Sequence, residues 1–159
     1  MLIRNAFPSL ENNWRSDIAE IAIASYEHFT GKSVVDCKNK FSSPSEALFH
    51  LKRPLLVHDT NSDPIFCYGN LLALEIFEYN WEELIKLPSR LSAEVTQQED
   101  RSKIMKEIKK TGYAKGYSGT RITKTGKRIK IGDTTIWNLL GPNSQFSGQA
   151  ALIKTFEYL

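Results

Sequence analysis

The chain has 159 residues, 41% of them apolar and 25% charged, and it carries a formal charge of +3. This is the composition of an ordinary globular domain, and so small a charge does not indicate a nucleic-acid partner. The two cysteines and three histidines lack the spacing of metal ligands. No stretch approaches the ~20 apolar residues of a membrane span, so the sequence predicts a cytoplasmic protein without a metal or membrane contacts.

The first predicted element is an amphipathic helix over residues 9 to 30, which Ser9 caps and Gly31 ends. Its apolar residues fall on two neighbouring stripes at helical spacing. An arc this wide can cover two surfaces, so the helix either closes the core of its own domain or pairs with a second copy of the chain. The residues predicted for such a homodimer interface are Trp14, Ile18, Ile21, Ile23 and Tyr26.

The middle of the chain predicts a β-hairpin followed by two short helices. After a polar loop and a helical turn from Pro44, the strands run over residues 55 to 59 and 65 to 68, with turn-forming residues between them. Asn70 is positioned to cap a helix over residues 71 to 77. Asn80 and Glu83 form a capping-box pattern for a second helix, which is expected to continue to Pro88.

The last third predicts one longer helix and three strands. Thr96 and Glu99 match a capping box, and Gly112 ends the helix. Its apolar face consists of Ile104, Met105 and Ile108. The strands cover residues 116 to 123, 128 to 140 and 148 to 158, and the short turns between them indicate antiparallel pairing.

Several segments resemble the MEKHLA family, a PAS-like group. They are LPSRLSAE at residues 87 to 94, YSGTRI at 117 to 122, IWNLL at 136 to 140 and GQAA at 148 to 151. The stretch from 68 to 84 resembles the strand and small helices of PAS domains. The resemblance implies an α+β fold in which a five-stranded antiparallel sheet has helices on one face and the amphipathic helix precedes it. It also implies an N-terminal extension over 1–44, a PAS-like domain over 45–159 and a sensory or interaction role.

The same resemblance bears on cofactors. PAS domains that sense light hold flavin with a reactive cysteine in a segment that would fall near residues 87 to 94, where this chain has none. Those that sense gases often ligate haem through a histidine on the longer helix, and residues 96 to 111 contain no histidine. The sequence therefore argues against covalent flavin and against histidine-ligated haem, and His58 is interpreted as a structural residue.

Catalysis is not predicted. Ser89, Ser92, His58 and Glu94 include the residue types of a hydrolase, but no GxSxG motif is present and nothing places a base beside a serine. The alternating basic residues between Arg121 and Lys130 are interpreted as the solvent-facing side of a half-buried sheet.

Two functions remain open: a non-catalytic sensory module that binds a small molecule, and a ligand-free dimerisation or docking scaffold. In the first, the candidate ligand-binding residues are Phe66, Asn70, Phe77, Trp81, Arg90, Trp137 and Asn138. In the second, the same aromatic residues fill the core. An internal cavity above about 100 Å³ would favour the first function, and a filled core would favour the second.

Overall fold

The computed structural model describes residues 6–36, 40–94 and 98–159, apart from the side chains of 98–101. The helices are α1 (Ser16–Thr30), α2 (Pro44–Phe49), α3 (Leu71–Phe77), α4 (Trp81–Leu84) and α5 (Gln98–Thr111). The strands are β1 (Leu55–His58), β2 (Phe66–Gly69), β3 (Tyr113–Ile122), β4 (Arg128–Leu140), β5 (Phe146–Leu152) and β6 (Thr155–Tyr158). Short 3-10 turns lie at Leu10–Asn12, Ser89–Ser92 and Pro142–Ser144.

The strands form one antiparallel sheet in the order β2-β1-β5-β4-β3, with β6 paired to β4. The α+β fold predicted from the sequence is therefore confirmed. The single last strand predicted over 148 to 158 is instead two strands, β5 and β6, which pair with successive parts of β4. They separate because the Ile153 amide donates to the Pro54 carbonyl oxygen at 2.9 Å, outside the β4 ladder.

The two faces of the sheet carry different helices. Trp137 is fully buried on the α1 side, where its Nε1 donates to the Ala22 carbonyl oxygen at 3.1 Å. Ser25 accepts a hydrogen bond from the Leu140 amide at 2.8 Å. The small buried side chains of α1 allow this close approach. Neighbouring strand residues point to opposite faces, so Ile136 points toward α3 and α5.

The helix predicted over 9 to 30 begins later than expected. A 3-10 turn is followed by Asn13, Trp14 and Arg15 at positive φ, and α1 starts at Ser16. The reason is local: the Asn12 carboxamide oxygen accepts from the Ser9 and Arg15 amides, which closes a separate turn. Gly31 ends α1 with φ 71°, as predicted.

The caps of the central helices are confirmed, but the second helix is shorter than predicted. Asn70 caps α3 and the Asn80–Glu83 capping box opens α4. That helix ends at Leu84 because the following residues pair with the edge of β2, where the Phe66 amide donates to Leu87 at 3.0 Å. Thr96 and the side chain of Glu99, the predicted capping box of α5, lie outside the described residues.

Candidate functional site

A cavity of about 70 Å³ lies between the sheet and the helices on its inner face. The sheet supplies its floor, and α3, α5 and the 3-10 turn at Ser89–Ser92 supply its walls. Its lining residues are Leu56, His58, Phe66, Phe77, Ser89, Ser92, Ile104, Met105, Tyr117, Arg121, Ile131, Thr134, Ile136, Gln149, Ala150, Ala151 and Ile153. The lining is mostly apolar, with polar side chains at both ends.

One end of the cavity contains a buried hydroxyl group without a partner. Thr134 is 0% exposed, and its Oγ1 has no hydrogen bond to any described residue. It lies opposite Tyr117 in the β3–β4 register, and the Arg121 guanidinium carbon lies 5.9 Å from the centre of the Tyr117 ring. An unpaired buried hydroxyl costs stability, so this group is available to a bound molecule.

The other end has a polar row across three strands. His58, Gln149 and Asn138 are register partners on β1, β5 and β4. Gln149 Nε2 donates to Asn138 Oδ1 at 3.2 Å. His58 Nδ1 lies 2.9 Å from the Asp59 carbonyl oxygen, which can only accept, so Nδ1 carries the proton and Nε2 of the neutral ring is an acceptor. Asn138 therefore positions the side chain of Gln149 at the cavity.

The structure brings two of the seven predicted ligand-binding residues, Phe66 and Phe77, to this cavity. Asn70 lies elsewhere, fully buried, and joins elements: it accepts from the Leu55 amide at 3.0 Å and donates to the Arg53 carbonyl oxygen at 2.8 Å.

The other four predicted ligand-binding residues have different surroundings. Trp81 packs edge-on against Tyr68, with ring centres 5.9 Å apart, and Trp137 lies on the α1 face. Asn138 contacts Gln149 but is not one of the residues that line the cavity. Arg90 forms an exposed ion pair with Asp63 at 3.1 Å.

Thr134 and Gln149, two polar residues of the cavity floor, are not among the residues that the sequence predicts for ligand binding. Simple alternation from Ile131 would put residue 133 on the inner face, but Asp133 has φ 49° and shifts the alternation of β4. Thr134 and Ile136 therefore point inward. The sequence carries no clear signal for this bulge, because Asp is common in ordinary turns as well.

The predicted dimer residues are placed against the chain's own domain. Trp14 packs on Phe49 with ring centres 5.9 Å apart, and Tyr26 packs on Trp137 at 4.9 Å. Ile18, Ile21 and Ile23 are half-buried and also contact the core. The outer surface of α1, which includes the exposed Ala24, is left uncovered by the described residues. A dimer through α1 stays a prediction.

Two potential nucleophiles in this region, Ser92 and Cys67, are held in other hydrogen bonds. The Ser92 hydroxyl donates to the Ser89 carbonyl oxygen at 2.8 Å, and no hydrogen bond between described residues joins either serine to His58. Burial is the main reason that the pKa of the Cys67 thiol is raised to about 12, which leaves it unreactive. Within the described ranges, no three His, Cys, Asp or Glu side chains come close enough to hold a metal ion.

The basic turn between β3 and β4 is tied to the helical segment opposite it by ion pairs. These are Lys124–Glu83, Lys127–Glu78 at 3.0 Å and Arg128–Glu94 at 2.8 Å. Their acidic partners neutralise much of the positive charge that the sequence places on these strands. Among the described helices, none combines the length and the apolar character needed to cross a lipid bilayer.

The strand order, with helices and a cavity on the inner face of the sheet, defines a PAS-like domain, and solved structures agree. A PAS domain of a protein from Colwellia psychrerythraea is 17% identical over 69% of this chain and 91% of that chain, with a TM-score of 0.56. A light-oxygen-voltage domain from a study of a flavin analogue is 14% identical over 72% and 83%, with a TM-score of 0.58. The blue-light photoreceptor Aureochrome1 LOV is 12% identical over 76% and 87%, with a TM-score of 0.56. These identities show a shared fold.

The family model of the MEKHLA domain matches residues 16–158. The chain therefore belongs to the MEKHLA domain family, and the match includes α1 as well as the PAS-like sheet. No curated protein matches this chain.

Proposed function

We propose that this chain is a sensory module without catalysis of its own, which binds a small molecule in the cavity between the sheet and α3 and α5. The observation that carries the proposal is the Thr134 hydroxyl, which is fully buried, lines the cavity and has no partner among the described residues. Buried polar groups are nearly always hydrogen-bonded, so a group of this kind supports a ligand that completes the bond.

The polarity of the cavity, rather than its size, supports ligand binding. The cavity volume is about 70 Å³. This is smaller than the cavity of about 100 Å³ that would by its size alone favour a sensor. A fully packed apolar core would show neither an unpaired hydroxyl nor polar residues at both ends of a void.

A ligand in the cavity can alter the packing of the surrounding helices because residues of those helices line the cavity. Phe77 of α3 and Ile104 of α5 form part of its wall, so a ligand there changes how these helices pack on the sheet. The change is then available to a partner protein that contacts either helix. This is the minimum that a sensory module requires.

Native mass spectrometry of protein purified from its own host tests the proposal. We expect a bound small molecule in the wild-type spectrum and its loss in Thr134→Val. The matched control is Thr135→Val, because the adjacent side chain points to the opposite face of β4. A spectrum of apo protein alone, or equal loss in both variants, would contradict the proposal.

A second candidate function, a ligand-free docking scaffold, is supported by an open apolar groove outside the cavity. Phe7 and Leu71 line this groove and are 48% and 45% exposed. Its rim carries the exposed carboxylates of Glu75 and Glu82. If the apo spectrum were obtained, a basic, apolar peptide would be the first partner to test there.

A further inference from the structure

The open groove that contains Phe7 and Leu71 is built from helices and the N-terminal segment. Its described lining residues are Ala6, Phe7, Leu71, Leu74, Glu75, Tyr79, Asn80, Trp81 and Glu82. They belong to the segment before α1, to α3, to α4 and to the link between α3 and α4. No strand edge therefore lies among the described lining residues, and a peptide cannot be added to the sheet there. A helix in a groove is the recognition mode that fits this setting.

The N-terminal wall of the groove is held in place by contacts within the chain. The Ala6 carbonyl oxygen accepts a hydrogen bond from Arg15 Nη1 at 3.0 Å. The Phe7 ring lies edge-on to Phe49 and Trp81, with ring centres 5.4 and 6.0 Å apart. Phe7 nevertheless remains 48% exposed. A fixed, half-exposed aromatic ring is a good anchor for a partner, because it loses little side-chain freedom when it is covered.

The α3 side of the groove continues this apolar surface. Leu71, Leu74 and Glu75 follow the i, i+3, i+4 spacing and so share one face of the helix. Leu74 is buried, whereas Leu71 is 45% exposed. The groove is open, with a volume of about 800 Å³, and it covers one side of an occupant. Sites for small molecules enclose most of the ligand, so a segment of a partner protein fits this groove better.

The charge of the groove is opposite in sign to that of the chain. Glu75 and Glu82 are the charged residues of its described lining, in which none is Lys or Arg. Neither carboxylate is paired with a described residue, whereas the nearby Glu78 and Glu83 bind lysines of the β3–β4 turn. The chain as a whole carries a formal charge of +3. A basic partner is therefore attracted to the groove and repelled by the net charge of the chain.

We infer that the groove binds an amphipathic, basic helix of a partner protein. The apolar side chains of that helix cover Phe7 and Leu71, and its Lys or Arg residues lie beside Glu75 and Glu82. The inference rests on the second candidate function, docking at this groove, and names the class of partner.

The helix α3 connects the groove to the cavity. Phe77 lines the cavity and follows Glu75 by two residues, which is about 200° around the helix. The groove and the cavity thus lie on opposite sides of α3. A ligand that moves α3 changes the groove, and by reciprocity a docked partner changes the affinity for the ligand. This coupling depends also on the proposed ligand, whereas docking itself does not.

The test is a titration of the isotope-labelled full chain with two synthetic peptides, followed by amide chemical shifts. Each peptide has about 16 residues, enough for a helix, with leucines spaced i, i+3, i+4 and i+7 on an alanine background. Lysines flank the leucine stripe in one peptide, and glutamates flank it in the other. We expect the lysine peptide to shift the amides of groove residues and to bind about tenfold or more tightly at low salt. The difference should shrink as salt is added.

Variants of the groove assign the contacts. Leu71→Ser should weaken the lysine peptide about tenfold, because an apolar anchor is lost. The double change Glu75→Lys and Glu82→Lys should reverse the preference, so that the glutamate peptide binds more tightly. If either variant fails to fold, the order of the two peptides on the wild-type protein still decides the inference.

Each variant has a matched control outside the groove lining. Leu91→Ser alters a leucine that is 51% exposed. Glu20→Lys together with Glu157→Lys reverses two exposed charges and changes the net charge by the same amount. Both controls should leave the lysine peptide ahead of the glutamate peptide. A reversed preference in the charge control would overturn the contacts assigned to Glu75 and Glu82.

The outcomes separate the inference from docking and from the proposed ligand. Equal binding of the two peptides, with loss in Leu71→Ser, would overturn the basic partner and leave docking standing. Groove amides unmoved by both peptides would overturn the inference and docking together. A dimer mass by light scattering that Leu71→Ser reduces to a monomer would overturn the partner protein in favour of a second copy. An apo native mass beside charge-selective peptide binding would overturn the ligand and support the inference.

Discussion

The Thr134 side chain is the clearest single-residue link between this fold and ligand binding. Its hydroxyl is fully buried and unpaired among the described residues, so the ligand-free protein bears an energetic cost at this position. Valine has nearly the same shape and no polar group. Replacement of Thr134 by valine should therefore change the stability of the ligand-free protein, and this effect can be measured separately from ligand binding.

We expect Thr134→Val to raise the melting temperature of ligand-free protein by a few degrees, since about 1 kcal/mol of desolvation cost is removed from a domain of this size. Thermal unfolding followed by circular dichroism measures it. Thr135→Val on the opposite face serves as the control. A lower melting temperature in Thr134→Val would show that the hydroxyl already has a partner, such as bound water.

Gly112 is a second residue at which a single added carbon atom should lower stability. Its φ is 90°, and a Cβ there would overlap the Phe29 ring of α1. Gly112→Ala should destabilise the protein by roughly 2 kcal/mol or more, from backbone strain and from the displaced ring. Urea unfolding measures the loss.

Gly126→Ala is the matched control for Gly112→Ala. Gly126 has φ 88°, but open space surrounds its Cβ position among the described residues, so it should show the strain alone. Equal losses in the two variants would mean that Phe29 moves aside without cost.

At the scale of elements, the β3–β4 turn is held to the end of α3 by Glu78. Hydrogen bonds from Thr123, Thr125 and Lys127 hold the pKa of this carboxyl at about 2, against an ordinary value of 4.5. A carboxyl with a lowered pKa in the folded state favours folding above its unfolded pKa. The contribution is lost as the pH falls from about 4.5 toward 2.

We therefore expect the Thr125 amide resonance to titrate with a midpoint near pH 2, because that amide donates to Glu78 at 3.3 Å. A pH series of amide spectra measures it. Glu78→Gln should abolish the step. A titration midpoint near the ordinary carboxyl pKa of 4.5 would show that Glu78 does not form these hydrogen bonds with the β3–β4 turn in solution.

Local signals in the sequence predicted the central elements well, because they depend on residues a few positions apart. The caps at Asn70 and Asn80 and the stop at Gly31 are of this kind. The predicted element boundaries were wrong where they depend on contacts between distant parts of the chain. The end of α4 depends on pairing with β2, and the split of the last strand depends on Pro54.

The candidate site was predictable only in part for the same reason. Phe66 and Phe77 were found because aromatic residues on a hairpin and an adjoining helix usually face the core. The side on which Trp137 lies depends on where α1 docks, and Thr134 depends on the bulge at Asp133. Neither property is encoded in the local spacing of residues.

At the scale of the whole molecule, α1 belongs to the folded domain while its outer surface stays open. We expect the chain to form a homodimer through that surface, where the half-buried Ile21 lies one helical turn from the exposed Ala24. Ala24→Arg, at an exposed position, should give a folded monomer by light scattering. Ala24→Ser is the control, and an unchanged mass in Ala24→Arg would count against this interface.

Deletion of residues 1 to 31 is a less clean test of the same interface. It would also remove the Ala22 carbonyl and uncover Trp137. Aggregation is therefore the expected result, as measured by the same light scattering.

The bond between Trp137 and Ala22 provides a natural optical reporter. The indole of Trp137 is completely shielded from water, and the backbone of α1 accepts its N–H. Any event that lifts α1 from the sheet must wet this ring and shift its fluorescence to longer wavelength. A Trp14→Phe, Trp81→Phe double variant would leave Trp137 as the remaining fluorophore of its kind, so that the attachment of α1 could be followed in real time without a label.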